Sequence, residues 1–253
     1  MRARARREKR ANVAKVFYLC NCMKIKEILG RYSTATVGLL FIALGIAFSV
    51  KSNLGVSALN SVQYALAVKY PRFSFGDYNF GLFSLFIFVQ LALLRRNFKL
   101  IDLLQLVANF ILSYMVDNFN WIFDHFGLIP ESILMRYVFI LLCCIFTAFG
   151  ISIEVAAGAW MLPAEMTVNA FTRTLGGKFR NNKVLMDSTL VAIAVVLCIV
   201  WFNSWLGPEA QPILGWGTVI SAVLIGIIMK LTDPLVNRFV IRSRARRIYR
   251  LRG

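Results

Sequence analysis

Long apolar runs separated by short polar stretches set the hydrophobicity pattern of this chain. Each run approaches the roughly 20 residues that a helix needs to cross about 30 Å of hydrocarbon. The pattern therefore predicts an all-α polytopic membrane protein with six transmembrane helices. The predicted spans lie at about residues 34–50, 79–95, 100–117, 134–153, 183–203 and 214–231.

The charges of the connecting loops predict which segments cross. The stretches 95–99 and 173–183 are basic and are expected inside, whereas 117–131 and 203–213 carry acids without Lys or Arg and are expected outside. A short segment at about 57–69 cannot cross as well, because the chain would then enter and leave the next span on the same side. We interpret it, and a matching short segment after the fourth span, as re-entrant half-helices.

The two halves of the chain resemble each other weakly. Similar four-residue sequences end an apolar run in each half, at 43–46 and 148–151. A final apolar run in each half ends on an aspartate, Asp117 or Asp233. Since three spans per half is an odd number, similar halves must be inverted in the membrane. The sequence thus predicts six transmembrane helices plus two re-entrant half-helices in a 3+3 inverted repeat, an arrangement typical of secondary transporters.

These signals divide the chain into five parts. They are a basic cytoplasmic N-terminal tail (1–33), a first membrane repeat (34–118), an external loop (119–133), a second membrane repeat (134–237) and a basic cytoplasmic C-terminal tail (238–253).

The net charge of +17 is concentrated at the two ends of the chain. Residues 1–31 contain ten Lys or Arg and two Glu, and residues 238–252 contain seven Arg without an acid. The positive-inside rule places both ends in the cytoplasm, where anionic lipids also attract them. Membrane topology accounts for this charge better than nucleic-acid binding does, so we expect anionic lipid and no nucleic acid as a partner.

Composition argues against other classes of site. Five cysteines are scattered without a Cys-x-x-Cys spacing, which indicates neither a disulfide framework nor a metal site. The one histidine, His125, lies in a predicted loop, and the sequence shows no nucleotide-binding loop or serine elbow. We therefore expect no cofactor, no metal and no enzyme activity.

The starts of the two short segments are the most informative positions. Gly55 can turn the chain and Ser57 is a plausible N-cap, while Pro163 suits the first turn of the second segment. Non-helical backbone at membrane depth is tolerated only where protein covers it or where it lines a cavity. The two starts should therefore border a solvated pocket, where the helix N-termini would favour an anionic group.

The register that aligns Gly45 with Gly150 also aligns Asn60 with Glu165. Polar side chains on opposed half-helices predict a substrate site near the centre of the bilayer. An alternative is that they only hydrogen-bond the half-helices to neighbouring spans, or that Glu165 lies near the inner interface. The predicted substrate-binding residues are Asn53, Ser57, Asn60, Gln63, Glu165, Asn169 and Thr218.

Three carboxylates are candidates for proton coupling. Glu165, Glu154 and Asp187 fall within apolar segments, and a carboxyl group shielded from water is suited to carry a proton. Glu154 could instead lie at the level of the lipid headgroups. Asp187 follows Lys183 by four residues and could simply pair with it on one helix face.

These residues resemble the YczE/YitT-like group of bacterial integral membrane proteins. The resemblance rests on 45–46 leading into 53–57, on 162–165 and on 215–218, and it covers about 34–239. It implies a bacterial inner-membrane protein of a group without an established biochemical activity, for which transport is the usual supposition. In this group Pro and then an acidic residue commonly follow the Gly-Val-Ser motif; their absence here would change the site chemistry if that acid is functional in relatives.

The sequence therefore predicts a small-solute secondary transporter whose site lies between two opposed half-helix tips. The alternative, from another class, is a non-transporting accessory protein that stabilises or positions a biosynthetic or secretory complex in the membrane. The solute is unknown, and a homo-oligomer remains open.

Overall fold

The computed structural model describes residues 28–95, 98 and 100–252. Within these residues the protein consists of eight α-helices without a β-strand. Short 3₁₀ segments precede two of them, at Ala58–Asn60 and Leu100–Leu103. The helices are α1 (Ile28–Lys51), α2 (Ser61–Lys69), α3 (Phe75–Leu94), α4 (Leu104–His125), α5 (Ile133–Ala157), α6 (Pro163–Leu175), α7 (Phe179–Phe202) and α8 (Trp216–Arg252).

Five helices of the described chain are long and apolar enough to cross a membrane. They are α1, α3, α5, most of α7 and the first 23 residues of α8. They confirm five of the six predicted spans. The remaining predicted span falls in α4, which has 22 residues but is more polar and does not belong to the five. The segments predicted to be too short to cross are indeed short, with nine residues in α2 and 13 in α6.

Two predicted boundaries differ from the structure. α4 continues to His125, so the first part of the connection that was predicted as a loop over 119–133 is helical, and the non-helical part is 126–132. α8 continues without a break to Arg252 through Pro234, so the predicted C-terminal tail at 238–253 is an extension of the last helix.

The basic N-terminal segment and one basic turn are described only in part. Residues 28–33 of the predicted tail belong to α1, and residues 1–27 lie outside the described residues. The predicted basic turn at 95–99 is described only at Arg95 and Phe98.

Local capping signals determine where two of the spans begin. The Ser74 hydroxyl accepts a hydrogen bond from the Asp77 amide, and the Asp77 carboxylate accepts one from the Ser74 amide, both at 3.0 Å. This reciprocal capping box starts α3. The Ser132 hydroxyl likewise accepts from the Met135 amide at 3.2 Å and starts α5. These caps satisfy amides that the first helical turn leaves without partners.

Large apolar side chains cover much of the surface, while several amide side chains are buried between the helices. Gln90 and Asn109 have no exposed surface, whereas Phe88 and Leu134 are 67% and 73% exposed. Soluble proteins bury most of their large apolar side chains. An apolar exterior of this kind is suited to a lipid environment.

Buried amides join the first short helix to two spans. The Gln63 amide donates to the Asn79 side chain at 3.4 Å, and the Asn79 amide donates to the Ser113 hydroxyl at 3.0 Å. This chain of hydrogen bonds runs from α2 through α3 to α4. α2 packs on both α3 and α7, and α6 likewise packs on both α7 and α3.

Glycines allow α1 and α5 to cross with their backbones in contact. A Cβ atom added to Gly150 would lie 2.6 Å from the Gly38 carbonyl oxygen, and one added to Gly38 would lie 2.8 Å from the Gly150 carbonyl oxygen. A Cβ atom added to Gly45 would lie 3.0 Å from the Cys143 carbonyl oxygen. Small residues at such crossings are a common means of packing helices in membranes.

We predict that Gly150→Ala lowers thermal stability, because the new Cβ requires α1 and α5 to move apart. Overpacking of this kind costs roughly 1–3 kcal/mol. The unfolding midpoint of the detergent-purified protein should fall by about 4 °C or more. The matched control is Gly81→Ala on α3, where an added Cβ meets nothing within 4 Å and alanine favours the helix. An equal loss at both positions would contradict the close crossing.

Candidate functional site

The loop after α1 turns the chain sharply into the first short helix. Asn53 has a positive φ of 51° and Gly55 one of 95°. Ser57 then has an extended backbone (φ −62°, ψ 153°), and the helical conformation begins at Ala58. Ser57 thus occupies the predicted N-cap position, although its hydroxyl makes no capping hydrogen bond.

The loop after α5 matches this backbone path at three positions. Gly158 has a positive φ of 56°, Leu162 is extended (φ −60°, ψ 149°), and α6 begins at Pro163, which occupies the first turn as predicted. Each of these three positions follows its counterpart in the first loop by 105 residues. The match does not include Gly55, because Trp160 at the corresponding position lacks a positive φ. The predicted register therefore aligns two loops that share the start of the turn and the entry into a short helix.

The first loop is held against the start of α8 by backbone hydrogen bonds. The Gly217 amide donates to the Leu54 carbonyl at 2.8 Å, and the Val56 amide donates to the Ile213 carbonyl at 3.0 Å. The Thr218 hydroxyl donates to the Val56 carbonyl at 2.6 Å. The structure thus uses the hydroxyl of Thr218, a predicted ligand, to hold this loop.

Both short helices begin at one cavity of about 200 Å³. The cavity lies between α1, α5, α7 and α8, and its walls are mainly apolar. It brings together four predicted site residues, three from the two helix starts and one from α7. Its principal polar lining residues are Ser57, Asn60, Thr147, Glu165, Lys183 and Asp187.

Three carboxylates and one ammonium group form the charged part of this region. The Lys183 ammonium lies 3.8 Å from the Glu165 carboxylate and also interacts electrostatically with Asp187. Glu165 interacts with both Asp187 and Glu154. Glu154 is 3% exposed and accepts a hydrogen bond from the Leu162 amide. It lies beside the cavity rather than among the residues that line it.

Four oxygen atoms that belong to cavity-lining residues are buried without a hydrogen-bond partner in the described part of the chain. One is the Thr147 hydroxyl, which can donate or accept, and the other three are the amide or carboxyl oxygens Asn60 Oδ1, Glu165 Oε2 and Asp187 Oδ1. Asn60 is 4% exposed. Since buried polar atoms nearly always have a partner, these three oxygens are the groups most suited to receive a ligand.

Three other predicted ligands lie elsewhere. Gln63 is fully buried and belongs to the hydrogen-bonded chain between α2, α3 and α4. Asn169 is half-buried on α6 and does not line the cavity. Asn53 borders a separate pocket, beside the ion pair between Lys51 and Asp124.

Two residues of the site were not predicted as part of it. Lys183 was interpreted as one of the basic residues that set the membrane topology, or as an ion-pair partner of Asp187 one turn later on α7. Gln90 was read as part of an apolar run, yet its amide nitrogen lies 3.0 Å from the Pro163 carbonyl and the Thr167 hydroxyl. It also accepts a hydrogen bond from Gln105 at 2.9 Å. Gln90 thus fixes the start of α6 against α3 and α4, and an uncharged polar residue within an apolar span was the available signal.

Comparisons with known proteins agree with the resemblance seen in the sequence. The chain is 22% identical over 227 residues to the uncharacterized membrane protein YczE of Bacillus subtilis (strain 168), and the alignment covers 87% of this chain and 95% of that protein. No solved structure matches the chain. The profile of the family of unknown function DUF6198 matches residues 29–234. The apolar helices and these matches together show that the chain is a multi-pass membrane protein that belongs to the DUF6198 family.

Proposed function

We propose that this protein is a small-solute secondary transporter of the bacterial inner membrane, with its substrate site in the cavity where the two short helices begin. One observation carries the proposal: two loops 105 residues apart, which enter their helices in the same way, place the starts of two short helices at one cavity. Broken or short helices that meet at a central site are typical of transporters.

α4 supplies the sixth crossing in this proposal. Its 22 residues correspond to about 33 Å of helix. Phe110 and Tyr114 are exposed on its outer face, whereas Gln105 and Asn109 are buried on its inner face. A helix with this distribution is more polar on average than its neighbours but presents an apolar surface to lipid. Each half then has three spans and one half-helix.

The contacts between α1 and α5 support the inverted repeat. A Cβ atom on Gly45 would meet Thr147 and Cys143, and one on Gly150 would meet Ile42 and Gly38. The 105-residue register matches Gly45 with Gly150, Thr147 with Ile42 and Cys143 with Gly38. The two sets of contacts are therefore the same set with α1 and α5 exchanged. Exchange of this kind is what a two-fold axis between the halves requires. The packing of α2 on α7 and of α6 on α3 exchanges in the same way.

The halves are not packed identically, which supports a mechanism of alternating access. α4 packs along α3, whereas its counterpart α8 packs mainly along α5 and far less on α7 within the described residues. The cavity occupies the space near α7 and α8. Rocking of one half against the other would close this space and open the equivalent one. We infer that Glu165 takes part in substrate or proton binding, because it lies at the helix start nearest to the charged part of the cavity.

We predict that Glu165→Gln lowers uptake at least tenfold, because it removes a charge from the cavity. The purified protein is reconstituted into vesicles and incubated with a metabolite extract, and the retained solutes are identified by mass spectrometry. The matched control is Glu131→Gln, in the exposed connection before α5, which should leave uptake unchanged. Retention no higher than in protein-free vesicles, or equal retention by both variants, would contradict the proposal.

We also predict opposite sides for Phe73 and Phe179. Phe73 lies in the exposed connection between α2 and α3, and Phe179 begins α7. In a variant without native cysteines, Phe73→Cys should react with an impermeant thiol reagent on intact cells, and Phe179→Cys only after permeabilisation. Gly127→Cys, in the connection between α4 and α5, is the external control. Labelling of both test positions on intact cells would rule out the inverted arrangement.

A further inference from the structure

We propose that the cavity binds an organic cation, namely an ammonium group carried on an apolar body. This inference rests on the proposed function in one respect, that the cavity is the solute site. The substrate class follows from the atoms that line the cavity.

The unpartnered atoms of the cavity require a ligand that donates hydrogen bonds. Asn60 Oδ1, Glu165 Oε2 and Asp187 Oδ1 are amide or carboxylate oxygens, and an ionised carboxylate can only accept hydrogen bonds. A carboxylate or phosphate ligand also presents acceptors and would leave all three unsatisfied. An ammonium group offers as many as three N–H donors, which matches the number of these oxygens.

The charges at the cavity favour the same ligand. Glu165 and Asp187 line it against a single ammonium group from Lys183, and the buried carboxylate of Glu154 lies behind Glu165. The 3.8 Å between Lys183 and Glu165 exceeds the 2.7–2.9 Å that is usual for a charge-assisted hydrogen bond. Glu165 is therefore not saturated by Lys183 and can receive a second cation. A buried charge needs such a partner, because its desolvation is otherwise very costly.

The size and walls of the cavity favour an organic over an inorganic cation. Its volume of about 200 Å³ is several times the roughly 30 Å³ that one water occupies in the liquid. Ile42, Phe83 and Leu112 contribute apolar walls, whereas a bare metal ion requires a close shell of oxygen ligands. Within the described residues, no group of three His, Cys, Asp or Glu is placed to hold a metal ion. The walls suit a hydrocarbon body and the oxygens suit its ammonium group.

The test compares three probes of nearly the same shape: phenethylammonium, the neutral phenethyl alcohol and the anionic 3-phenylpropanoate. Each is titrated into the purified full-length protein, with calorimetry and the unfolding midpoint as readouts. We expect saturable binding and a raised midpoint for phenethylammonium alone. Equal binding of the neutral probe, binding of the anion, or binding of none of the three would overturn the proposal. Sodium ions are titrated separately, and a midpoint raised by sodium but not by phenethylammonium would also overturn it.

Variants assign the binding to this cavity. Asp187→Asn and Asn60→Ala should each weaken phenethylammonium binding at least tenfold, and Glu131→Gln should leave it unchanged. The unfolding midpoint without probe shows whether each variant is folded. Unchanged binding in both folded cavity variants would overturn the assignment.

The binding experiment and the vesicle experiment test the two proposals independently, so either proposal can fail while the other stands. Binding of phenethylammonium by a protein that retains no solute in vesicles would support the cation site and contradict transport. Uptake of an anionic or neutral solute that depends on Glu165 would support transport and contradict the cation site.

Discussion

The central constraint on this fold is that backbone amides and carbonyls cannot remain without partners in hydrocarbon. Two loops lead into the short helices, and protein groups complete hydrogen bonds of each. The first rests on the start of α8, where the amides of Gly217 and Val56 and the hydroxyl of Thr218 complete its hydrogen bonds. Gly55 and Gly215 are required at this contact. A Cβ on Gly55 would lie 2.6 Å from the Gly215 amide nitrogen, and a Cβ on Gly215 would lie 2.5 Å from the Leu54 carbonyl oxygen.

The second loop is held by charged side chains. Arg31 donates to the carbonyls of Ala157 and Gly158, and the Leu162 amide donates to the buried Glu154 side chain. The two loops share part of a backbone path but differ in their chemistry. This difference places a buried carboxylate beside Glu165 and makes the second half the acidic side of the cavity.

Much of this could be predicted from the sequence, because span length, loop charge and the Gly45–Gly150 register are local signals. That register placed Asn60 and Glu165 at one cavity, as the structure does. The two aspartates that were matched at the ends of the halves, Asp117 and Asp233, do not make equivalent contacts. Asp117 accepts hydrogen bonds at the start of α3, whereas Asp233 accepts one from α5. Tertiary packing determines whether a residue of an apolar span faces the lipid or the other helices. The sequence alone therefore did not assign Gln90 and Lys183 to the site.

The electrostatic sign of the cavity results from two opposing contributions. The helix starts alone favour an anion, as the sequence suggested, but a helix N-terminus carries only about half an elementary charge, and its effect falls off within the first turn. Glu165 lies in the first turn of α6 and itself interacts with that partial charge. Glu165 and Asp187 line the cavity against one lysine. Because the charge of a side chain at short range outweighs the partial charge at a helix end, the proposed preference for a cation rests on these side chains rather than on the helix dipoles.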